Sequence, residues 1–239
     1  MLNQFSRTAM ILGEEAMDKL ASSRIIVFGV GGVGGNCIEA LCRTGIGSID
    51  IVDNDTVSIT NINRQIIATT KTIGQYKVDV MKERILDINP NAKINIFKTF
   101  YTSDNSHEFD FSKYDYIVDA IDTVKSKIEL VVKANKVKIP IISAMGAGNK
   151  INPLAFKVDD IYKTSVCPLA RVMRTELKKR NINKLKVVYS TESPIKPLNS
   201  IETSFKRQTP GSIATLPSIM GLIMANEVIK DLTISDRNS

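Results

Sequence analysis

The chain has 239 residues, 43% of them hydrophobic and 24% charged, with no tryptophan, three cysteines and one histidine. That length and composition suit a soluble globular protein with one full core, and Cys37, Cys42 and Cys167 form no C-x-x-C pair, so neither a disulfide framework nor a cysteine zinc site is supported. The formal charge of +7 is concentrated: residues 157–207 hold 12 basic and 5 acidic groups, while the rest of the chain balances at 20 of each, which fits a polyanion site or a solvated basic face equally well.

The N-terminus lacks a charged region followed by a long apolar run and a small-residue cleavage site, so a cytoplasmic location is expected. Met10, Ile11, Ala16, Met17 and Leu20 recur at helical spacing and predict a short helix over 9–20, with Gly13 interrupting it. Arg7 precedes that helix. The first strand is expected over Arg24–Phe28, feeding directly into Gly29-x-Gly31-Gly32-x-Gly34. Glycines are needed where a buried parallel strand turns sharply into a helix whose N-terminus meets a phosphate.

A helix over 33–44 should end at Gly45, and a second strand over Ser48–Val52 closes on Asp53, 19 residues past Gly34. A carboxylate at that distance suits a nucleotide ribose, so a dinucleotide-binding dehydrogenase stays open at this point. A polar connection leads to Asn61-Ile62-Asn63-Arg64-Gln65. Val78, Met81, Ile85 and Ile88 then predict a helix over 73–88, stopped by Asn89-Pro90.

Further strands are expected at 93–97, 116–118 and 140–143, with a loop containing His107 and a helix over 124–136 between them. This alternation predicts an α/β fold, a Rossmann-like doubly wound and mostly parallel sheet. Past residue 150 the pattern changes. A strand at 154–158, a basic helix at 168–180 and a strand at 185–189 predict antiparallel C-terminal strands extending the sheet. Residues 1–150 are therefore expected to form the nucleotide-binding core, and 151–239 an extension of the same domain. The polar stretch 190–212, with Pro194, Pro197 and Pro210, is expected to be a mobile loop, and 217–232 a final packing helix. The apolar stretch 213–229 is interrupted by Pro217, Asn226 and Glu227 and is too short for a membrane span, so no stable membrane insertion is expected.

Open α/β sheets bind ligands at the carboxyl ends of their strands. Asp53 and Asp122 fall there, with Arg64 and Lys77 beside the helical segment after strand two. Two carboxylates and two cations around a phosphate loop suit ATP better than a hydride-transfer cofactor: one carboxylate for ribose, one for magnesium, and cations for the triphosphate.

Gly29-x-Gly31-Gly32-x-Gly34, Asp53-x-Asp55, Thr60-Asn61-Ile62-Asn63-Arg64-Gln65, Gly74-x-x-Lys77 and Ala120-Ile121-Asp122 together resemble the ordered motifs of the ubiquitin-activating-like adenylating enzymes, over about residues 5–150. The resemblance implies that Gly29, Gly31, Gly32, Gly34, Asp53, Asp55, Thr60, Asn61 and Asn63 surround the nucleotide. It also implies that Asn61 and Arg64 meet the phosphates, that Lys77 meets the triphosphate and that Asp122 holds Mg2+. Arg7 matches an arginine that reaches the neighbouring subunit's site, which implies a homodimer and makes Arg7, Arg64, Lys77 and Asp122 the catalytic candidates. Carrier-protein activators of this family hold zinc through two C-x-x-C pairs, which are lacking here. Cys167, in a region where some members place a thioester cysteine, is expected to be a buried or incidental thiol.

The start Phe5-Ser6-Arg7-Thr8-Ala9, Arg43-Thr44-Gly45-Ile46-Gly47, Asp119-Ala120-Ile121-Asp122, Pro168-Leu169-Ala170 and Tyr189-Ser190-Thr191-Glu192 resemble one subfamily, the tRNA threonylcarbamoyladenosine dehydratases. That resemblance implies ATP-dependent ring closure at adenosine 37 of tRNA through an acyl adenylate, with sulfur-relay proteins as candidate partners. Arg171, Arg174, Lys178, Lys179 and Arg180 on the basic helix then become candidates for the tRNA backbone. The alternative is activation of a ubiquitin-like sulfur carrier.

Overall fold

The computed structural model describes residues 2–198 and 210–233, so 199–209 of the expected mobile loop lie outside the described residues. The expected N-terminal helix is two helices, α1 (Ser6–Leu12) and α2 (Glu14–Ser22). Gly13 separates them at φ 84°, a conformation that ends one helix and that glycine adopts without strain.

A seven-stranded sheet forms the centre of the fold, built from β1 (Arg24–Phe28), β2 (Ser48–Val52), β3 (Lys93–Phe97), β4 (Tyr116–Asp119), β5 (Ile141–Ala144), β6 (Phe156–Asp160) and β7 (Lys186–Ser190), in the order β3-β2-β1-β4-β5-β7-β6. The first five strands are mutually parallel, and β7 joins β5 parallel as well. Only the edge strand β6 runs antiparallel, so the antiparallel extension expected from the sequence is confined to that edge. β6 begins two residues later than expected, because Asn152 caps a 3-10 turn over Pro153–Ala155 and leaves Leu154 exposed.

Helices cover both faces, as a parallel sheet requires. Ile25 and Val27 point to one face of β1 and pack with α3 (Gly32–Thr44), α4 (Lys77–Ile88) and α7 (Thr215–Thr233). Ile26 and Phe28 point to the other, into an aromatic cluster with Tyr101, Phe109 and Phe111 and with α5 (Val124–Val137). A third cluster joins α5 and β7 to α6 (Pro168–Lys178) and takes in Cys167, which is 2% exposed. The period-2 alternation of a strand buried on both sides explains why β1 reads as an unbroken apolar run.

α4 starts at Lys77, four residues later than its periodicity suggests, since Gly74 sits at φ 86° and Tyr76 is extended in a β-bridge with Thr56. α7 lies tightly along α3. A methyl group at Gly221 would stand 2.3 Å from the Val33 carbonyl oxygen, so only glycine permits that approach. Among the described residues no helix is long and apolar enough to cross a membrane.

Candidate active site

In this strand order the chain reverses its direction of winding between β1 and β4, and the crevice at that switch point is where open α/β sheets bind ligands. A cavity of about 710 Å3 opens there. Its walls are the segments just past the parallel strands: Gly29–Gly32 after β1, Asp53–Asp55 after β2, Thr99–Tyr101 after β3, Ala120–Asp122 after β4 and Met145–Gly148 after β5.

The glycine loop is fixed by backbone contacts. Gly29, at φ 94°, donates its N–H to the Val52 carbonyl at 2.8 Å, and a Cβ on it would stand 2.7 Å from the Ala120 carbonyl oxygen. A Cβ on Gly34 would overlap the Gly29 carbonyl oxygen at 1.8 Å, so Gly34 lets α3 close onto β1. Gly31 occupies the N-cap of α3 with no capping side chain, and nothing lies within 4 Å of where its Cβ would be. The amides of the first turn of α3 are thereby left facing the cavity, with the positive end of the helix dipole behind them.

Asp53 accepts hydrogen bonds from the N–H of Val30 at 2.7 Å and the N–H of Asp55 at 2.8 Å, which ties the end of β2 to the glycine loop. Burial pushes its carboxyl above the usual 3.8, against the pull of the Lys77 charge and those two amides. Lys77, at the first position of α4, is buried at 6% exposure. Its ammonium lies 2.6 Å from Asp55, whose side chain is 60% exposed.

Arg64 lines the cavity with one guanidinium nitrogen held by the Thr60 carbonyl and the Asn63 amide oxygen, each at 2.9 Å. Asn61 lines the cavity too, and its side-chain oxygen accepts from the Ser58 N–H at 3.1 Å. Asp122 stands exposed at the rim, accepting a hydrogen bond from the Thr123 hydroxyl at 3.3 Å. The structure thus brings together Gly29, Gly31, Gly32, Asp53, Asp55, Asn61, Arg64, Lys77 and Asp122. Gly34, Thr60 and Asn63 support the loops from behind rather than lining the space, and Asn63 donates to the Ser212 carbonyl at 2.9 Å.

Arg7 is exposed on α1 and does not line the cavity of its own chain. On α6, Arg171 and Lys178 are exposed, whereas Arg174 turns inward and donates to the Thr164 carbonyl at 3.0 Å and to its hydroxyl. Lys179 and Arg180 both pair with Glu176, at 2.6 and 2.8 Å. Three of the five cations proposed for a polyanion are therefore engaged within the chain.

Five cavity residues lie outside the sequence motifs, namely Thr99, Phe100, Tyr101, Met145 and Pro217, while Gln65 and Leu169 stand inside motifs that assigned them no role. Those after β3 and β5 are explained by the strand-end rule once the strand order is known. Gln65 stands in the same run as Arg64 and is buried, with its side-chain oxygen unpartnered. Among the described residues no cluster of three or more His, Cys, Asp or Glu could hold a metal by itself. A single carboxylate sharing Mg2+ with phosphate oxygens is the arrangement the present residues fit.

The family profile described as the ThiF family matches residues 5–238. The chain is 45% identical over 242 residues to the tRNA threonylcarbamoyladenosine dehydratase of Bacillus subtilis (strain 168), covering 97% of this chain and 95% of that protein. It also superimposes on two crystal structures of the E. coli tRNA N6-threonylcarbamoyladenosine dehydratase TcdA, one in complex with AMP and one with ATP. Each match has a TM-score of 0.90 and 34% identity and covers 99% of this chain and 96% of that one.

Proposed function

The chain belongs to the ThiF family, and we propose that the cavity at its switch point is where ATP activates a carboxylate carried by tRNA. The activity is the ATP-dependent dehydration of threonylcarbamoyladenosine in tRNA. Its target is position 37, and the product is the cyclised nucleoside. The observation that carries this reading is the convergence of the glycine loop, Asp53, Arg64, Lys77 and Asp122 on one cavity, in a chain matching such a dehydratase over nearly its whole length.

In the proposed reaction the threonine carboxylate attacks the α-phosphorus of ATP, the bond to the bridging oxygen breaks and pyrophosphate leaves. The ureido group then attacks the acyl carbonyl of the adenylate, a ring closes, one proton is lost and AMP departs with the former carboxylate oxygen. The first-turn amides of α3, Arg64 and Lys77 stabilise the charge that builds on the α-phosphate and on pyrophosphate. Asp53 holds the ribose. Asp122 would hold Mg2+, which when bound neutralises charge on the phosphate oxygens.

Arg7 is assigned to the site of a second copy. Its exposure, and that of Met10 and Ile11 on the same helix at 86% and 82%, supports α1 as a face covered in a homodimer. Arg171 and Lys178 are the cations of α6 best placed for the tRNA backbone. A tRNA substrate supports a cytoplasmic location, and the family resemblance supports sulfur-relay proteins as partners.

The test is incubation with ATP, Mg2+ and tRNA bearing threonylcarbamoyladenosine. AMP formation together with a nucleoside lighter by one water is the expected result. Pyrophosphate release that requires a carrier protein's C-terminal glycine, leaves that glycine adenylated and leaves the nucleoside unchanged would replace this reading with sulfur-carrier activation.

A further inference from the structure

The Lys127 ammonium is fully buried, as is its partner Asp119, with their charged atoms 3.0 Å apart. This pair sits at the last rung of the sheet, where Phe28, Asp119 and Ser143 are register partners across β1, β4 and β5. The same ammonium donates to the Ile121 carbonyl at 2.9 Å. Asp119 in turn accepts from the Ile121 N–H at 3.2 Å and from the Ser143 hydroxyl.

Asp119 runs directly into Ala120, Ile121 and Asp122, and Ser143 directly into Ala144, Met145 and Gly146, so the Asp119 carboxylate joins two walls of the cavity and Lys127 is the buried cation that neutralises it. Its position is electrostatically unfavourable in isolation. Lys127 lies in the first turns of α5, where the helix dipole repels a cation, and both charges have given up water. Apolar side chains of the same size would pack the strand ends without that cost. What the apolar alternative cannot supply is the hydrogen bond to Ile121, one residue from the carboxylate proposed to hold Mg2+.

We propose that Lys127 is a positioning residue: through Asp119 and Ile121 it sets the turn that aims Asp122 at the metal carried by the nucleotide. The inference rests on the reading of the cavity as an ATP site, and not on which carboxylate ATP activates. Lys127 touches no substrate and acts only through the 119–122 turn.

The experiment is calorimetric binding of ATP to the full chain, once with Mg2+ and once with EDTA. In the native protein Mg2+ should tighten ATP binding at least tenfold. Lys127→Met should reduce that gain to threefold or less while ATP binding in EDTA changes by less than threefold. Asp122→Asn should lose the gain to the same extent, and adding Lys127→Met to it should cost nothing further. Should Lys127→Met unfold because it strands Asp119, the paired variant Asp119→Leu/Lys127→Met removes both charges together and should show the same lost gain. A native-sized Mg2+ gain in a folded variant of either kind overturns the proposal, and so does the absence of any gain in the native chain. Native ATP binding with an intact Mg2+ gain but no change to tRNA would overturn the proposed substrate and leave this inference standing.

Discussion

The Lys77 ammonium is buried and the Asp55 carboxylate that holds it, 2.6 Å away, is exposed. The pair keeps a desolvated cation at the edge of the cavity, supported by the Lys77 N–H bond to the Asp55 carbonyl at 3.0 Å. A triphosphate entering the cavity would meet this ammonium already oriented, the preorganisation that makes electrostatic stabilisation effective.

Lys77→Met should therefore lower the rate of AMP formation by about 100-fold or more. Stability should change little, because the carboxylate left behind is in solvent and pays no burial cost. Single-turnover kinetics and thermal unfolding of the same preparation check both halves.

Two glycines of the loop should separate by experiment. Gly34→Ala forces a methyl group into the Gly29 carbonyl and should cost at least about 3 kcal/mol in urea unfolding. Gly31→Ala meets no protein atom and should cost no more than about 1 kcal/mol. Its methyl group would stand in the cavity, so ATP binding should weaken by about tenfold or more, measured by calorimetry.

Burial raises the Asp53 carboxyl above its usual 3.8. A carboxylate that binds ribose as the anion then loses its contribution as pH falls through that raised value, earlier than an ordinary aspartate would. Adenosine binding by the native chain should exceed that of Asp53→Asn at pH 7. The difference should shrink on acidification toward pH 4, at which a pH-independent difference would count against the assignment.

On α6, Arg171→Glu/Lys178→Glu should weaken tRNA binding and flatten the slope of log affinity against log salt by about 2. Arg174 is held on Thr164, so Arg174→Ala should cost about 1 kcal/mol of stability and leave that slope unchanged. Filter binding across a salt series distinguishes the two behaviours.

Glu39 on α3 is clamped by Arg43 and by Arg84 of α4. Burial alone would raise its carboxyl, but the two guanidiniums win and hold it below the usual 4.5. Its contribution is thus present above pH 4.5 and is lost as pH falls through the lowered native value. Glu39→Gln should cost about 1 kcal/mol at pH 7 and progressively less below pH 4.5, read from urea titrations at each pH.

The sequence made the glycine loop and Asp53 readable because their constraints are local. A strand, a tight turn and a helix N-terminus occupy consecutive residues, and the carboxylate ends the next strand. The walls after β3 and β5 were not readable, since Phe100 and Met145 reach the cavity only through the strand order. Charge and position on one basic helix made Arg171, Arg174 and Lys178 candidates for the tRNA backbone but could not reveal that Thr164 would claim one of them. The split of the first helix and the late start of α4 both arose at glycines with positive φ, where periodicity continues but the backbone does not.

α7 has a consequence for when the site comes into being. A methyl group at Gly32 would stand 3.0 Å from the Pro217 ring, and α3 and α7 approach so closely that Gly221 must lack a side chain. The nucleotide loop leaves the ribosome well before Pro217, yet one wall of its cavity is supplied by the last helix described. The growing chain can form the early strands without Pro217, but the complete cavity exists only after α7 has been made and docked. A shortened product of interrupted translation would carry the glycine motif and lack the finished site.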